Sequence, residues 1–392
     1  MTDIERALVI GATGNIGRIA VELLRERGVH VRGLARDASG LPDGVEAVSA
    51  DVHDLDALGA AAEGMDAVLL IWPSLTAEGA DDVAARLRGR IVYVSAMSVR
   101  DDAPPERNGV WGQVEAAIRR HTGDWTFLRA SGFATNALQW APAIRAGGPV
   151  RIPYPRAARS LIHERDIAES AVAAMTEPGH TGRAYVLTGP AAITQEDQVR
   201  TIGPAPVVAA SREEARAEML AWADPAFADG ALDYWASLVD EPEPVADGVR
   251  ELTGHPARPF AQWAADHAAD FRPLSTPEVA RRYADAFAKG RMERALPLYD
   301  PAVVRAAPLE GGGELRGLDE ILAHAARLTA DLDIHGVTVH GPYVGADGFA
   351  VRFTFDQTRR STGERSTLTK MSLLTVERGV ITREDVHYFD PA

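Results

Sequence analysis

The stretch VIGATGNIGR, residues 9–18, decides the fold of the first part of the chain. It places Gly11, Gly14 and Gly17 after a short apolar run, at the start of a segment in which apolar residues recur at helical spacing. In such a position the first glycine permits a tight turn, the second lets the backbone approach a pyrophosphate, and the third allows a helix to pack closely on a strand. The stretch therefore predicts a dinucleotide-binding turn, with the pyrophosphate at the helix N-terminus.

A basic residue marks the end of the next predicted strand. An acidic residue there would bind a ribose 2′-hydroxyl, whereas a basic residue favours a 2′-phosphate. Arg36 stands at this place and Asp37 follows it, so the sequence favours NADP(H) and leaves NAD(H) as the alternative. Asp51, after the third strand, is predicted either to face the adenine or to cap the next helix. The predicted cofactor-binding residues are Gly11, Thr13, Gly14, Asn15, Ile16, Gly17, Arg36, Asp51, Trp72 and Pro73.

The first 150 residues alternate between predicted strands and helices. After the first two strands, further strands are predicted at 45–50, 66–72, 90–96 and 124–130. Helices are predicted around 54–63, 78–88 and 110–121. This alternation indicates an α/β fold with a doubly wound parallel sheet, the Rossmann arrangement.

The rest of the chain predicts a small lobe and then a second architecture. Residues 151–273 are expected to form a mainly helical substrate lobe, in which Asp166 caps a helix, and 270–277 is the expected linker. After it, Thr276 and Pro277 are predicted as N-cap and first residue of a helix. Long strands are then predicted at 333–344, 348–359, 366–377 and 379–389. The predicted domains are therefore 1–273, with a Rossmann core to about 150, and an α+β domain at 276–392.

Composition excludes several classes of protein. The net charge of −15 argues against a nucleic-acid partner. The chain has no cysteine, which excludes disulfides, thiolate zinc sites and a cysteine nucleophile, and no metal site is predicted. The first residues do not resemble a signal peptide, and no window approaches the ~18 apolar residues of a membrane span. A cytoplasmic protein without a membrane partner is therefore expected.

The first 273 residues resemble the NmrA-like branch of the atypical short-chain dehydrogenases. The resemblance rests on VIGATGNIGR, VRGLARD, VEAAIRRHTGDWTFLRASGFATNAL, HERDIAESAVAAMTEPGHTGRAYVLTGP and ELTGHPARPFAQWAADHAADF. It implies a Rossmann domain with a small C-terminal substrate lobe. It also implies one of two roles, either NADPH-dependent reduction of quinones and ketones or nucleotide sensing without turnover.

The usual proton donor of the broader superfamily is missing from its place. There a tyrosine, followed four residues later by a lysine, protonates the reduced carbonyl. Here these places hold Trp111 and Glu115, and the indole of Trp111 cannot transfer a proton. Both lysines of the chain, Lys289 and Lys370, lie beyond residue 273. A tyrosine–lysine dyad is therefore not expected in this domain, and Trp111 is interpreted as a wall of the nicotinamide pocket.

Other groups are candidates for the chemistry of the first domain. Ser95 and Ser98 lie at the end of the fifth strand, while Tyr154 and His163 come from the substrate lobe. A lone histidine before a helix is more often a structural residue. Trp72, Phe133 and Trp140 could line a pocket for a flat, apolar or polycyclic substrate, although bulky aromatic residues more often belong to a core. With two residues from the C-terminal domain, the candidate catalytic residues are Ser95, Ser98, Trp111, Tyr154, His163, Glu384 and His387.

Residues 276–390 resemble a SnoaL-like domain, of the nuclear-transport-factor-2-like cone fold. The resemblance rests on VARRYADAFAKGRMERALPLYD, LRGLDEILAH and MSLLTVERGVITREDVHYFD. It implies a sheet curled around a pocket and a role as cyclase, hydrolase, isomerase or dimerisation module. A pocket acid–base pair could combine Asp356 or Glu384 with His387 or His340. Lys370 is expected on a solvated face; if buried, it would need a partner or a lowered pKa.

Two functional hypotheses follow from the sequence. The first is an NADPH-dependent reductase that acts on a quinone, ketone or polyketide-type intermediate, with the C-terminal domain serving cyclisation, isomerisation, hydration or substrate holding. The second is a non-catalytic NADP(H) sensor whose C-terminal domain dimerises or binds a ligand. The oligomeric state stays open, and a homodimer through the C-terminal domain is one alternative.

Overall fold

The computed structural model describes residues 4–310 and 313–389. These residues form two compact units. One unit extends to Gln139 and continues over Val150–Ala268, and the other contains Trp140–Pro149 and the chain from Ala269 onward. The short segment Trp140–Pro149 therefore groups with the C-terminal unit, although the sequence predicts it within the nucleotide-binding domain.

Helices occur in both units. The α-helices of the described residues are α1 (Asn15–Glu26), α2 (Leu55–Ala62), α3 (Ala80–Arg86), α4 (Gly109–His121), α5 (Ala141–Arg145), α6 (Glu164–Thr176), α7 (Gln195–Ile202), α8 (Arg212–Met219), α9 (Pro225–Ser237), α10 (Gly248–Thr253), α11 (Phe260–Asp266), α12 (Ala268–Phe271), α13 (Thr276–Ala288) and α14 (Leu318–Thr329). Short 3₁₀ helices lie at Pro105–Asn108, Ala134–Trp140, Met292–Arg294, Leu296–Leu298 and Pro308–Glu310.

Strands also occur in both units. Those of the described residues are β1 (Arg6–Ile10), β2 (His30–Ala35), β3 (Glu46–Ser49), β4 (Ala67–Leu70), β5 (Arg90–Ala96), β6 (Trp125–Ala130), β7 (Val150–Ile152), β8 (Ala158–Arg159), β9 (Arg183–Leu187), β10 (Ile193–Thr194), β11 (Val207–Ala209), β12 (Tyr299–Ala306), β13 (Glu314–Arg316), β14 (Leu332–Val344), β15 (Gly348–Arg359), β16 (Arg365–Glu377) and β17 (Val380–Tyr388). The strands predicted in the first 150 residues all form, within two residues of their predicted bounds.

The first unit is built on a parallel sheet. Its strand order is β3-β2-β1-β4-β5-β6-β9, and every neighbouring pair runs parallel. Helices cover both faces, so successive residues of a strand enter different cores. Val9 packs in a cluster with α1, α6 and α10, and Leu8 packs in another with α2, α3 and α4. The predicted doubly wound parallel sheet is confirmed.

The order of the strands creates a crevice beside β1. The chain moves outward from β1 to β2 and β3, and then returns to place β4 on the other side of β1. At such a switch point the loops on either side diverge, and sheets of this kind bind nucleotides there, beyond the carboxyl ends of the strands. The loops after β1, β2, β4 and β5 therefore open at one edge.

The second unit holds a mixed sheet. Its strand order is β13-β12-β17-β16-β15-β14, in which β12 and β17 are parallel and the other neighbours antiparallel. Tyr283 of α13, Phe353 of β15 and Ile381 of β17 belong to its core. The α+β prediction is confirmed, as are the four long strands. The sequence did not predict β12, because Pro301 and a register shift interrupt its pattern.

Two helices begin at residues other than those predicted. The N-cap of α6 is His163, whose imidazole accepts a hydrogen bond from the Arg165 N–H. Asp166 lies inside the helix and is fully buried, so its prediction as N-cap is wrong. The N-cap of α13 is Ser275, whose backbone N–H donates to Glu278, and not the predicted Thr276.

None of the helices in the described ranges has the length and apolar character that a membrane-crossing helix needs.

Candidate functional site

The glycine turn after β1 has the geometry that a pyrophosphate cradle needs. Gly11 has a φ of 84°, which an L-residue rarely adopts, and a Cβ atom on it would lie 3.3 Å from Cβ of Ile71. A Cβ atom on Gly17 would lie 2.1 Å from the carbonyl oxygen of Gly11, so the helix can approach the turn this closely only without a side chain there. Each of the two glycines is therefore required by a specific contact.

The N-terminus of α1 is open towards the outside. Its N-cap, Gly14, has no side chain to satisfy the first N–H groups of the helix, and Thr13, Gly14 and Asn15 are exposed. The side chain of Ile16 lies in the core, so this residue can offer only its backbone N–H. Free N–H groups at the positive end of a helix fit the pyrophosphate of a dinucleotide.

The carboxyl end of β2 carries the residues that would distinguish the two nucleotides. Arg36 is exposed there. The Asp37 carboxylate accepts hydrogen bonds from the backbone N–H of Ser39, at 3.1 Å, and from its hydroxyl, at 2.6 Å. Arg36 thus has a free surface for a 2′-phosphate, whereas the Asp37 carboxylate is held in a local turn.

The ends of β3 and β4 border the same crevice. The Asp51 carboxylate accepts a hydrogen bond from the His53 N–H, and Asp54, not Asp51, caps α2. The alternative prediction of Asp51 as the helix cap is therefore wrong. The Trp72 indole N–H donates to the carbonyl of Thr76 at 2.8 Å, so a ligand would contact the flat face of the ring and not its N–H. Pro73 is exposed.

A buried ion pair occupies the place of the missing tyrosine–lysine dyad. The Glu115 side chain is only 1% exposed, and its two oxygens accept hydrogen bonds from Arg129 Nε at 3.0 Å and Nη2 at 2.8 Å. Ser95, also buried, donates to the same carboxylate at 2.6 Å. Arg129 also donates to Asp101, and this hydrogen bond holds the pKa of Asp101 below its usual range.

This network engages the hydroxyl of Ser95. The hydroxyl donates to Glu115, and the residue is 3% exposed. Both oxygens of Glu115 in turn accept hydrogen bonds. A catalytic role for Ser95 therefore stays a prediction, and the structure places its side chain in a buried hydrogen-bond network. The sequence signal for the network is Arg129 itself, a charged residue in the otherwise apolar strand β6.

Ser98 follows the carboxyl end of β5, and Trp111 lies on α4. Trp111 lies one turn before Glu115 on α4, is partly buried and packs against the apolar cluster that Trp72 also contacts. It is therefore suited to form a wall, as predicted, and not to transfer a proton. Ser98 is exposed beyond the strand. The catalytic roles of these two residues stay predictions.

The two candidates from the substrate lobe have different surroundings. Tyr154 packs with Phe227 and Trp235, and its hydroxyl lies 3.4 Å from Nη1 of Arg212; a catalytic role for it stays a prediction. His163 is 4% exposed and uses both ring nitrogens, Nδ1 as helix cap and Nε2 towards Asp266 at 3.2 Å.

A catalytic role for His163 stays a prediction, and the structure places its imidazole in the buried cap of α6. Burial lowers the pKa of His163, but the hydrogen bond and charge of Glu164, the hydrogen bond with Asp266 and the charge of Asp166 outweigh that effect and raise it. Phe133 and Trp140 likewise contribute to packing, Phe133 against the core beneath α1 and Trp140 as a buried residue of the other unit.

One further cluster of acids in the substrate lobe is explained by ion pairing. Asp166, Glu169 and His255 lie within 4.8 Å of one another, a spacing that a metal ion could use. The guanidinium of Arg258, however, lies between the two carboxylates and donates to both, with bonds of 2.8 and 3.0 Å to Glu169. A resident cation thus already neutralises the acids, and the cluster anchors α6 to the segment before α11.

The second unit contains a cavity of about 670 Å³. Its walls are mainly apolar and include Phe287, Ile321, Phe353, Phe355 and Leu368. One end is polar and is lined by Arg305, Glu310, Lys370, Ser372, Glu384 and Tyr388. A largely apolar chamber with a few convergent polar groups is the usual form of a small-molecule site.

The polar end is a connected network around two carboxylates. The first, Glu384, accepts hydrogen bonds from Ser372 at 2.7 Å and from Tyr299 at 3.3 Å, and lies 3.5 Å from Nε of Arg305. The second, Glu310, accepts from Arg305 at 2.9 Å and from the Tyr388 hydroxyl. Burial first, and then the charge of Glu384, raises the pKa of Tyr299. Arg305 thus bridges two buried acids inside the cavity.

The cavity corrects the predicted acid–base pairs. Glu384 lines it, but His387 is exposed on the other face of β17, because residues three apart on a regular strand point to opposite sides. His387 therefore does not share the cavity with Glu384, and a catalytic role for it stays a prediction. His340 is not among the lining residues, and Asp356 forms an ion pair with Arg365 instead. Lys370 lines the cavity and does not lie on a solvated face.

Family models match both units. Residues 11–178 match a family described as NAD(P)H-binding, and residues 280–384 match the SnoaL-like domain. A (4-alkanoyl-5-oxo-2,5-dihydrofuran-3-yl)methyl phosphate reductase of Streptomyces griseus is 38% identical over 280 residues, which cover 68% of this chain and 99% of the relative. An NAD(P)H azoreductase of Xenophilus azovorans is 32% identical over 281 residues, which cover 67% of this chain and 98% of the relative.

Solved structures show the same fold. A triphenylmethane reductase of Citrobacter sp. has a TM-score of 0.56 with 19% identity, over 67% of this chain and 99% of that one. The same enzyme complexed with NADP(H) has a TM-score of 0.55 with 20% identity. With the open glycine turn, these findings confirm a nucleotide-dependent oxidoreductase. The chain belongs to the NAD(P)H-binding reductases of the NmrA-like, atypical short-chain type, and it joins such a domain to a SnoaL-like domain.

Proposed function

We propose that the first unit reduces a conjugated, electron-poor acceptor of the quinone or polyketide type with NADPH. The observation that carries this proposal is the state of Glu115 and Ser95. Trp111 stands at the place of the usual proton donor, and Glu115, one helical turn later, is buried and hydrogen-bonded to Ser95, with Arg129 as counter-ion. The substrate is therefore one that needs no strong acid from the protein.

The chemistry of the acceptor decides how much acid help is needed. When bound, the dihydronicotinamide supplies a hydride. Addition of hydride to an isolated ketone gives a localised alkoxide, and a positioned acid is then worth ~10²–10⁴-fold in rate. Addition to a quinone or an unsaturated ketone gives a delocalised phenolate or enolate, a weaker base that water can protonate. The second class of acceptor fits this chain.

The two curated relatives support the same class of substrate. The name of the Streptomyces griseus enzyme denotes a 5-oxo-2,5-dihydrofuran that carries an alkanoyl group, and the other relative is an azoreductase. Both names describe conjugated acceptors. We infer that this chain, which is 38% and 32% identical to these two relatives, also reduces a conjugated acceptor.

The residues of the first unit would then bind and orient. The turn at Gly11–Gly17 and the start of α1 hold the pyrophosphate, and Arg36 holds the 2′-phosphate. Trp72 and Trp111 contribute apolar surface, which favours a flat substrate and keeps water from the nicotinamide face. The C-terminal cavity takes the same intermediate, for holding, cyclisation, isomerisation or hydration. Cytoplasmic location and pairing of two copies through the C-terminal unit remain predictions.

A matched pair of acceptors tests the proposed reduction. We expect the full chain to oxidise NADPH with an acyl-substituted cyclic enone at least about 100-fold faster than with the corresponding saturated ketone. The measurement is the loss of absorbance at 340 nm, with the products identified by mass spectrometry. Equal rates for the two compounds, with an alcohol formed from the saturated ketone, would contradict the proposal and would require a protein acid.

The preference for NADPH is expected to depend on Arg36. In Arg36→Ala the loss of one charge-assisted phosphate contact should weaken NADPH binding by about 10-fold to 100-fold and leave NADH binding nearly unchanged. The two dissociation constants are measured by fluorescence titration. Arg6→Ala, at an exposed arginine at the amino end of β1 and so at the opposite edge of the sheet, is the control for loss of charge alone. An unchanged ratio of the two constants in Arg36→Ala would show that the 2′-phosphate is held elsewhere.

A further inference from the structure

Lys370 occupies an unusual place in the cavity of the C-terminal unit. It lies in β16, directly opposite Phe353 of β15 on one side and Tyr388 of β17 on the other. Directly paired residues point to the same face of a sheet, and all three line the cavity. Its ammonium nitrogen lies 5.4 Å from the centre of the Phe355 ring. The side chain is therefore held between aromatic walls, with its amine facing the chamber.

The carboxylates at the polar end of the cavity already have a cation other than Lys370. Arg305 bridges Glu310 and Glu384, so the two carboxylates of the polar end have a cation of their own. Among residues 4–310 and 313–389, no carboxylate lies within 4.0 Å of Nζ of Lys370. Lys370 is thus an additional amine at this end of the cavity, and not a member of the ion-pair network.

The surroundings of Lys370 lower the pKa of its amine. Burial lowers the pKa of Lys370, the charge of Arg305 lowers it further, and Glu384 and Glu310 oppose the change without reversing it. Unlike arginine, a lysine can release its proton in such a place and expose a nucleophilic lone pair.

We propose that Lys370 is a nucleophile that captures an aldehyde or ketone in the cavity as an imine. The inference extends the proposed role of the C-terminal cavity and does not depend on hydride transfer in the first unit. The ligand class follows from the site, which combines about 670 Å³ of mainly apolar space with one amine at its polar end. An apolar compound with a terminal or ring carbonyl fits both features.

The step balances without any further reactant. The amine nitrogen adds to the carbonyl carbon, and the π electrons of the C=O bond move to the oxygen. The nitrogen then loses its two protons and the oxygen leaves with them as water, so that a C=N bond replaces the C=O bond. The hydroxyl of Tyr388, opposite Lys370 and hydrogen-bonded to Glu310, is placed to relay these protons.

An imine on Lys370 would give the Glu384 carboxylate a chemical role. A protonated imine withdraws electrons and acidifies the adjacent C–H bonds, which permits isomerisation or ring closure at that carbon. Glu384 lines the same end of the cavity, so its carboxylate is the base within reach. The positions of Lys370 and Glu384 on the neighbouring strands β16 and β17 thus support cyclisation or isomerisation over mere substrate holding.

The chain offers a direct test because it contains only two lysines. The full-length protein is incubated with 2-naphthaldehyde and sodium cyanoborohydride, which reduces an imine to a stable amine, and the adduct is located by peptide mass mapping. We expect Lys370 to be labelled at least about tenfold faster than Lys289, whose side chain is 64% exposed on the surface. Lys289→Arg should keep this adduct, and Lys370→Arg should lose it. An excess of 2-methylnaphthalene, which has no carbonyl group, should slow labelling of Lys370 alone.

Two results would overturn the inference. One is labelling of Lys370 no faster than labelling of Lys289, in protein whose melting shows an intact C-terminal unit. The other is labelling of Lys370 by 2-naphthaldehyde at the same rate with and without excess 2-methylnaphthalene, which would place the reaction outside the apolar cavity. The labelling needs no NADPH, so its outcome is separate from that of the reductase assay.

Discussion

Gly17→Ala is expected to weaken NADPH binding by at least about 100-fold, which corresponds to about 2.7 kcal/mol. The added Cβ atom would lie 2.1 Å from the Gly11 carbonyl oxygen and 2.9 Å from Cα of Ala12, both backbone atoms of the phosphate turn. Since these atoms cannot rotate away as a side chain would, α1 must move off the turn. The N–H groups at the start of α1 then no longer point towards the pyrophosphate. Binding is measured by fluorescence titration with NADPH.

A second helical glycine provides the matched control. Gly230 lies within α9, where an added Cβ atom would meet nothing within 4 Å. Gly230→Ala should therefore bind NADPH like the wild type and should stabilise its helix by roughly 0.5–1 kcal/mol. Gly14→Asp adds a charge that would repel the pyrophosphate, with a closest Cβ contact of 3.3 Å to the Gly11 carbonyl oxygen, much less severe than the 2.1 Å at Gly17. Full affinity in both Gly17→Ala and Gly14→Asp would show that the nucleotide does not lie on this turn.

The nucleotide site could be predicted from the sequence because its determinants are local. The spacing of Gly11, Gly14 and Gly17 fixes the turn within seven residues, and Arg36 follows from the end of the next strand. Side-chain partners across the sheet do not follow in this way. The bond between Ser95 and Glu115 joins β5 to α4, so only the folded chain shows that this serine is buried.

Most residues that line the C-terminal cavity could not be predicted from the sequence. Alternation separates the two faces of β17, but it cannot tell which face is inside, and a register shift between Thr375 and Val376 changes the alternation along the strand pair. Ile381 and Glu384 are both buried for that reason, although they are three residues apart. The register shift in β12 also prevented a prediction of Arg305 as a cavity residue. Because Arg305 is the cation that pairs with Glu310 and Glu384, Lys370 stays outside the ion-pair network.

Arg129→Met is expected to destabilise the first unit by about 3–5 kcal/mol, the usual effect of removing one partner from a buried ion pair. The Glu115 carboxylate would stay almost fully buried, with Ser95 as a donor and only the more exposed Arg119, at 3.6 Å, as a cation. For a unit of this size the melting temperature should fall by roughly 10 °C. The transition to follow in thermal unfolding is the one that saturating NADPH raises, because the ligand stabilises only the unit that binds it.

Two variants show whether the lost stability comes from the uncompensated charge of Glu115. The second of them also tests whether Glu115 takes part in protonation of the substrate. Arg100→Met breaks the exposed pair with Asp102 and should cost at most about 1 kcal/mol. Arg129→Met combined with Glu115→Gln removes both charges but keeps an acceptor for Ser95, so it should recover most of the lost stability. If this double variant also reduces the conjugated enone at the wild-type rate, Glu115 has a structural role and the proton comes from water. A double variant that is as unstable as Arg129→Met would instead assign the loss to packing around the arginine stem.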